Sequence, residues 1–439
     1  MEIPVRRWAE LDSATRNRLL ARSELNVEEL IGDVERIVSR VRTDGDAALR
    51  EFTARFDRVE LDALPLAVTD EEVATAVAEL PERVRRALDY AMANVRTAHE
   101  RQRPEAFALT ETRPGIRTGD ATHPLETVGL YVPRGRGSFP SMLYMLAIPA
   151  SIAGVRRIVV VTPPGPGGRI DPACLYAARQ CGVEAVYRVG GAQAIGALAY
   201  GTESLPRVDK IVGPGSAYVA AAKRCVRDAV DVGLPAGPSE SMIIADESAD
   251  AFTVSRDLLI EAEHGADSHA VLVTAHEGLA RDVASELPAL IADTPSPRRE
   301  FLESVFSDYG GVIIAADEQE AVAIANEFAP EHLQLRVREP YRVVTMLRNA
   351  GEILVGRSTP FSVANYAAGA NAVLPTGGTA RVRSGVSVAD FTRRTSVVEV
   401  EEGAFAEIAA EVITLADYEG FHWHSRALRD RLSGAEEQT

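Results

Sequence analysis

Cysteine is scarce in this chain: Cys174, Cys181 and Cys225 are three residues in 439. Their number is odd and their spacing is not that of a metal site, which argues against a disulfide framework and predicts a reducing compartment with inert thiols. A tract of clustered Lys and Arg is also missing. With a formal net charge of −17, the chain is poorly suited to nucleic acid or to an anionic membrane surface. No uncharged apolar run reaches the length of a bilayer span, and the nearest, residues 142–155, is too short. Met1-Glu2-Ile3-Pro4-Val5 lacks the basic-then-apolar order of a secretion signal. These absences predict a cytoplasmic protein without a membrane partner. What is present is ordinary globular composition, 46% hydrophobic and 25% charged, with length for two or three domains.

Residues 1–100 read as mostly helical. Asn26-Val27-Glu28-Glu29 has the form of a capping box, followed at helical spacing by Leu30, Val34, Ile37 and Val41. Thr69 and Glu72 open a second helical stretch toward Glu100. From Val128 the pattern changes to short apolar runs closed by Gly and Pro. Strands are expected over 128–132, 157–162, 185–189 and 210–212, with helices over 171–181, 193–200 and from Ser216 to about Val230. A second series has strands at 241–245, 270–273, 312–315, 333–337 and 353–355. The tail from about Ser387 differs, with a strand-like stretch at 396–400 and then helical stretches. Strands alternating with helices imply an α/β fold, its parallel sheets covered on both faces.

Three signals carry chemistry. In Ala329-Pro330-Glu331-His332 a carboxylate and an imidazole stand side by side, two proton acceptors of different basicity, which suits two distinct proton transfers. In Glu261-Ala262-Glu263-His264-Gly265, Glu261 and His264 are three apart on an expected helix and share a face. They could present two ligands to one ion, with His424 as a third, or be a solvated acid and a structural imidazole. Gly-rich turns in 133–215 follow strands, as phosphate-binding turns do. None is a dinucleotide fingerprint, since Gly213-Pro214-Gly215-Ser216-Ala217-Tyr218 lacks the third glycine. Tight turns required by any parallel sheet are the competing reading.

Together with Gly237-Pro238-Ser239-Glu240 and Glu419-Gly420-Phe421-His422-Trp423-His424, in that order and spacing, these segments resemble the histidinol dehydrogenase family over roughly residues 25–430. The resemblance implies two incomplete Rossmann-like parallel-sheet domains with small terminal segments. Residues 1–24 would be an N-terminal segment. Residues 25–130 and 239–386 would form a first domain carrying the metal and the catalytic pair, and 131–238 a second on the NAD side. Residues 387–439 would be a tail reaching the partner subunit's active site in a homodimer.

The resemblance also implies roles. His332 would take the alcohol proton as hydride leaves for NAD, and Glu331 would activate water for the second oxidation, alcohol to aldehyde to carboxylate. NAD contacts would fall on Tyr131, Gln193 and Ser216, the last in place of the usual Asn. Zinc ligands would be Glu261, His264, Asn365 and His424, where the family has Gln, His, Asp and His. The anionic ligand has thus changed sides with the site's formal charge kept, and the competing reading is that zinc is lost and the site holds only organic substrate. Substrate would meet Ser239 and Glu419 as well as Glu261, His264, His332, Asn365 and His424. Ala372 stands where the family has a His near the substrate.

Three changed pocket positions point to either L-histidinol or a related small polar primary alcohol, such as the sulfonated or phosphonated diols of paralogues resembling sulfopropanediol dehydrogenase. Arg134, Arg136 and His422 are further recognition candidates. The competing class is a catalytically silent binding module, which the intact Glu331-His332 pair disfavours. A cysteine-dependent aldehyde dehydrogenase is disfavoured because no cysteine lies by that pair.

Overall fold

A computed structural model describes residues 1–21, 27–134, 137–234, 237–308 and 310–436. Asn26 of the expected capping box and Arg136 lie outside the described residues. Among the described residues there are thirteen strands. The first seven are β1 (Val5–Arg7), β2 (Phe107–Arg113), β3 (Ile116–Pro124), β4 (Thr127–Tyr131), β5 (Arg157–Val161), β6 (Ala185–Tyr187) and β7 (Lys210–Val212). The rest are β8 (Glu240–Ala245), β9 (His269–Thr274), β10 (Gly311–Ile314), β11 (His332–Arg336), β12 (Glu352–Val355) and β13 (Thr392–Val400). No described helix is long and apolar enough to cross a membrane.

The chain divides into two compact units, Met1–Arg103 with Leu125–Phe391, and Pro104–Pro124 with Thr392–Thr439. The first holds two sheets. The larger has the order β1-β10-β9-β8-β11-β12 and the smaller β6-β5-β4-β7, and every pairing in both is parallel. The expected α/β class with two incomplete Rossmann-like sheets is therefore the observed one. The second unit holds an antiparallel sheet, β13-β3-β2, and the helices Glu402–Glu419 and His422–Glu436.

Strand periodicity explains the two-sided burial. In the smaller sheet Val128, Leu130, Ile158 and Val160 enter one apolar cluster, while Tyr131, Val159, Val161 and Ile211 enter another. In the larger sheet Ile243, Leu272 and Val312 face one cluster and Met242, Ile244, Val271 and Ile313 the other. Side chains alternate across a strand, so continuous apolar runs need helices on both faces.

Several local expectations are corrected. β1 pairs with β10 at the edge of the larger sheet, where a helical segment was expected. Three residues are too few to show a period. The stretch from Thr69 is two helices, Asp70–Glu79 and Glu82–Glu100, because Pro81 cannot donate to a continuing helix. The Thr69–Glu72 capping box itself is formed. The helix after Ser216 ends at Val226, short of Val230, and the chain turns so that Asp231 bridges to Lys210 on β7.

Candidate active site

β11 sets the site. Leu333 and Leu335 join the apolar cluster on one face of the sheet. The alternate residues His332, Gln334 and Arg336 face the helix Ala251–Ala262 and are all buried. Buried polar groups are costly unless partnered, and the helix supplies partners at every fourth position. Arg336 donates to Thr253 Oγ1 at 2.6 Å and to Asp257 Oδ2 at 3.0 Å. Gln334 Nε2 donates to Asp257 Oδ2 at 2.9 Å and to the Thr359 carbonyl at 3.0 Å. One helical turn further, Glu261 Oε2 lies 3.9 Å from His332 Nε2. A polar ladder thus fixes the helix against the strand and ends at the expected catalytic pair.

Glu331 reaches its place through a strained turn. The helix Glu318–Phe328 ends on Ala329, a non-glycine residue with φ 52°, before Pro330. That conformation costs a residue with a Cβ roughly 1–2 kcal/mol. Glu331 Oε2 then accepts the Glu240 amide at 3.0 Å and lies 3.7 Å from His332 Nε2. The other ring nitrogen, His332 Nδ1, is 2.6 Å from Glu352 Oε1.

A cleft of about 580 Å³ opens here. It brings together seven of the expected site residues, Ser216, Ser239, Glu261, His264, Glu331, His332 and Asn365, together with the recognition candidate Arg134 and the changed position Ala372, and adds Arg298. It lies at the carboxyl ends of β4 and β7 but at the amino ends of β8 and β11. The smaller sheet therefore follows the usual rule for ligand placement in α/β folds and the larger does not. The turn after β7 requires glycine, since Gly213 has φ 126° and a Cβ there would sit 2.1 Å from the Tyr131 carbonyl.

Residues 20–432 match the family model for histidinol dehydrogenase. The chain belongs to the histidinol dehydrogenase family. That family comprises oxidoreductases that carry an alcohol, through an aldehyde, to the acid. A histidinol dehydrogenase of Synechocystis sp. is 45% identical over 415 residues, covering 94% of this chain and 96% of its own. A histidinol dehydrogenase homolog of Cereibacter sphaeroides is 46% identical over 422 residues, 96% of each chain. The crystal structure of a histidinol dehydrogenase from Elizabethkingia anophelis superposes with a TM-score of 0.93 at 31% identity, covering 99% of both chains.

Within this family member, Glu261 and Asn365 meet directly, Asn365 Nδ2 donating to Glu261 Oε1 at 2.6 Å. His264 Nδ1 is 3.2 Å from Glu261 Oε2 and 3.0 Å from Ser239 Oγ. Glu261 Oε2 is buried and has no hydrogen-bond partner. A buried, orphaned carboxylate oxygen beside an imidazole and an amide fits a cation by donor chemistry. Among the described residues, no group of three His, Cys, Asp or Glu is arranged to hold a metal. Any further ligand has to come from beyond these side chains.

The charges are strongly coupled. Burial pushes Glu331 up to about 8, with Glu261 and Glu240 adding to it. Burial alone would lower His332, but the carboxylates of Glu261, Glu331 and Glu352 outweigh it and raise the ring above its ordinary value. Burial likewise opposes ionisation of Glu261. The His332 and His264 imidazoles and the Asn365 amide more than offset it, leaving that carboxyl below its ordinary value.

The remaining expected residues lie elsewhere. Tyr131 and Gln193 do not line the cleft. Tyr131 Oη accepts the Gly191 amide at 3.1 Å, at the start of the helix Gly191–Tyr200. Gln193 is buried on that helix, and both its amide atoms lack a partner, as suits a residue awaiting a polar ligand. Glu419 and His424 belong to the second unit, and both are exposed. His424 lies tilted against Phe421 with ring centroids 5.1 Å apart, and His422 lies edge-on to Trp423. Glu352 and Arg298 went unnoticed in the sequence. Glu352 gives no local signal, because its contact with His332 comes from strand pairing across 20 positions.

Proposed function

We propose that this chain oxidises a primary alcohol of the L-histidinol type to the carboxylate with NAD, His332 and Glu331 carrying the two proton transfers. The observation that supports this most is the buried pair 3.7 Å apart in one cleft, with a different partner for each member. His332 Nε2, on the side of the ring away from Glu352, takes the alcohol proton in the neutral form of the ring, which a cation held by Glu261 would favour by neutralising the first of the carboxylates that raise it. Glu331, held by the Glu240 amide and facing the same cleft, takes the proton of the water that adds to the aldehyde.

NAD supplies the hydride acceptor for both oxidations. Tyr131, Gln193 and Ser216 would hold it, Ser216 standing just before the N-terminus of the helix Ala217–Val226. Zinc would orient and polarise the substrate hydroxyl. Glu261, His264 and Asn365 would hold it with His424. We read His424 and Glu419 as contributed by the partner subunit of a homodimer.

A second reading is favoured by the wall at Ala372. Its amide lies 3.3 Å from Met145 Sδ, and both residues line the cleft, so an apolar surface stands there while Arg134 and Arg298 line the same cleft. That combination suits a small primary alcohol bearing an anionic group, a sulfonated or phosphonated diol. The experiment is to incubate zinc-supplemented protein with NAD and L-histidinol, following NADH and histidine. Two NADH per histidine is the result expected of the first reading. No turnover with zinc and NAD both bound supports the second, to be pursued with a panel of such alcohols. Clearly less than one zinc per chain after zinc addition overturns the metal assignment.

A further inference from the structure

β11 and β12 run parallel with His332 opposite Glu352 in the register. Residues opposite one another in a ladder project to the same face, so Glu352 reaches the His332 ring from the neighbouring strand. Its Oε1 is 2.6 Å from His332 Nδ1, and both side chains are nearly buried, at 11% and 4% exposure. Phe361 closes another side of the ring, with centroids 6.0 Å apart and planes at 73°.

An ionised carboxylate only accepts hydrogen bonds. The proton between Glu352 and the ring therefore belongs to Nδ1. The second nitrogen, Nε2, is turned to the opposite side, 3.7 Å from Glu331 Oε2 and 3.9 Å from Glu261 Oε2. Which nitrogen of an imidazole carries the proton is set by the hydrogen bond the other makes. Without Glu352, Nδ1 would have no charged acceptor, and the ring could rotate or protonate on Nε2 instead.

We propose that Glu352 is a positioning residue, holding His332 with Nδ1 protonated and Nε2 presented to the cleft. This rests on the reading of His332 as the proton acceptor in the alcohol step. In that step the substrate O–H bond breaks toward Nε2, and the C–H bond breaks with its electron pair passing as hydride to NAD. Glu352 touches neither substrate nor cofactor and acts only through the ring.

The test has two parts. The first needs no substrate. Protein labelled with ¹⁵N in its histidine rings is compared with Glu352→Ala and Glu352→Gln, and the His332 signals are assigned from their loss in His332→Asn. A protonated Nδ1 beside an unprotonated Nε2 is expected in the unaltered, zinc-supplemented protein, that pattern being lost or shifted in Glu352→Ala and largely kept in Glu352→Gln, whose amide oxygen still accepts. Unprotonated Nδ1 in the unaltered protein, or unchanged ring signals in Glu352→Ala, overturns the proposal.

The second part is kinetic. With L-histidinol, or whichever alcohol the panel identifies, Glu352→Ala should lower kcat for alcohol oxidation about 10–100-fold with KM unchanged. Oxidation of the aldehyde should be spared, and Glu352→Gln should recover much of the loss. Equal slowing of both half-reactions marks general loosening of the fold and counts against positioning. Failure of the proposed function shows separately, as absence of NADH from the unaltered protein with any alcohol, whatever the ring signals report.

Discussion

Replacing His332 with Asn should slow alcohol oxidation on the order of 10³-fold, while Glu331→Gln should slow chiefly oxidation of the aldehyde, by a comparable factor. The argument is one of proton inventory. In the first variant the asparagine would keep a polar group near the place of Nδ1, beside Glu352, but nothing able to take a proton at the place of Nε2. In the second the glutamine would keep the carbonyl oxygen that accepts the Glu240 amide at 3.0 Å, so the turn after Pro330 is held. It would lose only the capacity to accept a proton. The two groups stand 3.7 Å apart and face the same cleft, so a change in binding should affect both half-reactions alike. A change in proton transfer should not. Supplying the aldehyde separately and measuring each half-reaction in each variant distinguishes them. Equal loss of both half-reactions in Glu331→Gln contradicts the division of labour. His332→Asn also removes the Nδ1–H that Glu352 accepts, so thermal unfolding of that variant is measured alongside to separate instability from lost chemistry.

What could be read from the sequence follows the range of the interactions involved. Strands β8 to β11 were legible because each is a continuous buried run bounded by breakers, and β12 was legible from its apolar Ile353-Leu354-Val355 although only Leu354 is buried. Glu261 and His264 were legible as neighbours because helix geometry alone brings positions three apart together. The exchange of Glu261 and Asn365 against the family pattern pointed to one shared place, and the two side chains do meet. The hairpin of β2 and β3 gave no signal, since its residues are almost all exposed or half-buried and no apolar period marks a face. β1 escaped because the strand it pairs with is more than 300 positions away. Glu352 escaped for the same kind of reason, because a parallel register is decided by the whole sheet. Pro81 was a legible break, overridden by the strength of the helical pattern around it.

The ladder behind the site carries the largest expected effect on stability. Helix positions four apart advance about 6 Å, and strand positions two apart advance about 6.6 Å. Thr253, Asp257 and Glu261 can therefore stay in step with Arg336, Gln334 and His332 over the length of the contact. Arg336 is 3% exposed and Asp257 10%, so their contact at 3.0 Å is shielded from water, whereas Asp250, at 39%, adds little. Removing one member of such a pair strands the other charge in the interior. Arg336→Met should thus destabilise the protein by about 3–5 kcal/mol, measured by urea unfolding. Adding Asp257→Asn should restore a good part of that loss. The asparagine introduced there carries no charge to strand, and its carbonyl oxygen can still accept from Gln334 Nε2, which now bonds Asp257 at 2.9 Å. A cost below about 1 kcal/mol for Arg336→Met, in the range of an exposed ion pair, would show that the pair is not effectively buried. Recovery in the double variant carries a catalytic consequence. If the ladder sets the spacing of Glu261 and His332, stability should return before kcat does, because the mended contact no longer fixes the helix as tightly against the strand that presents the base.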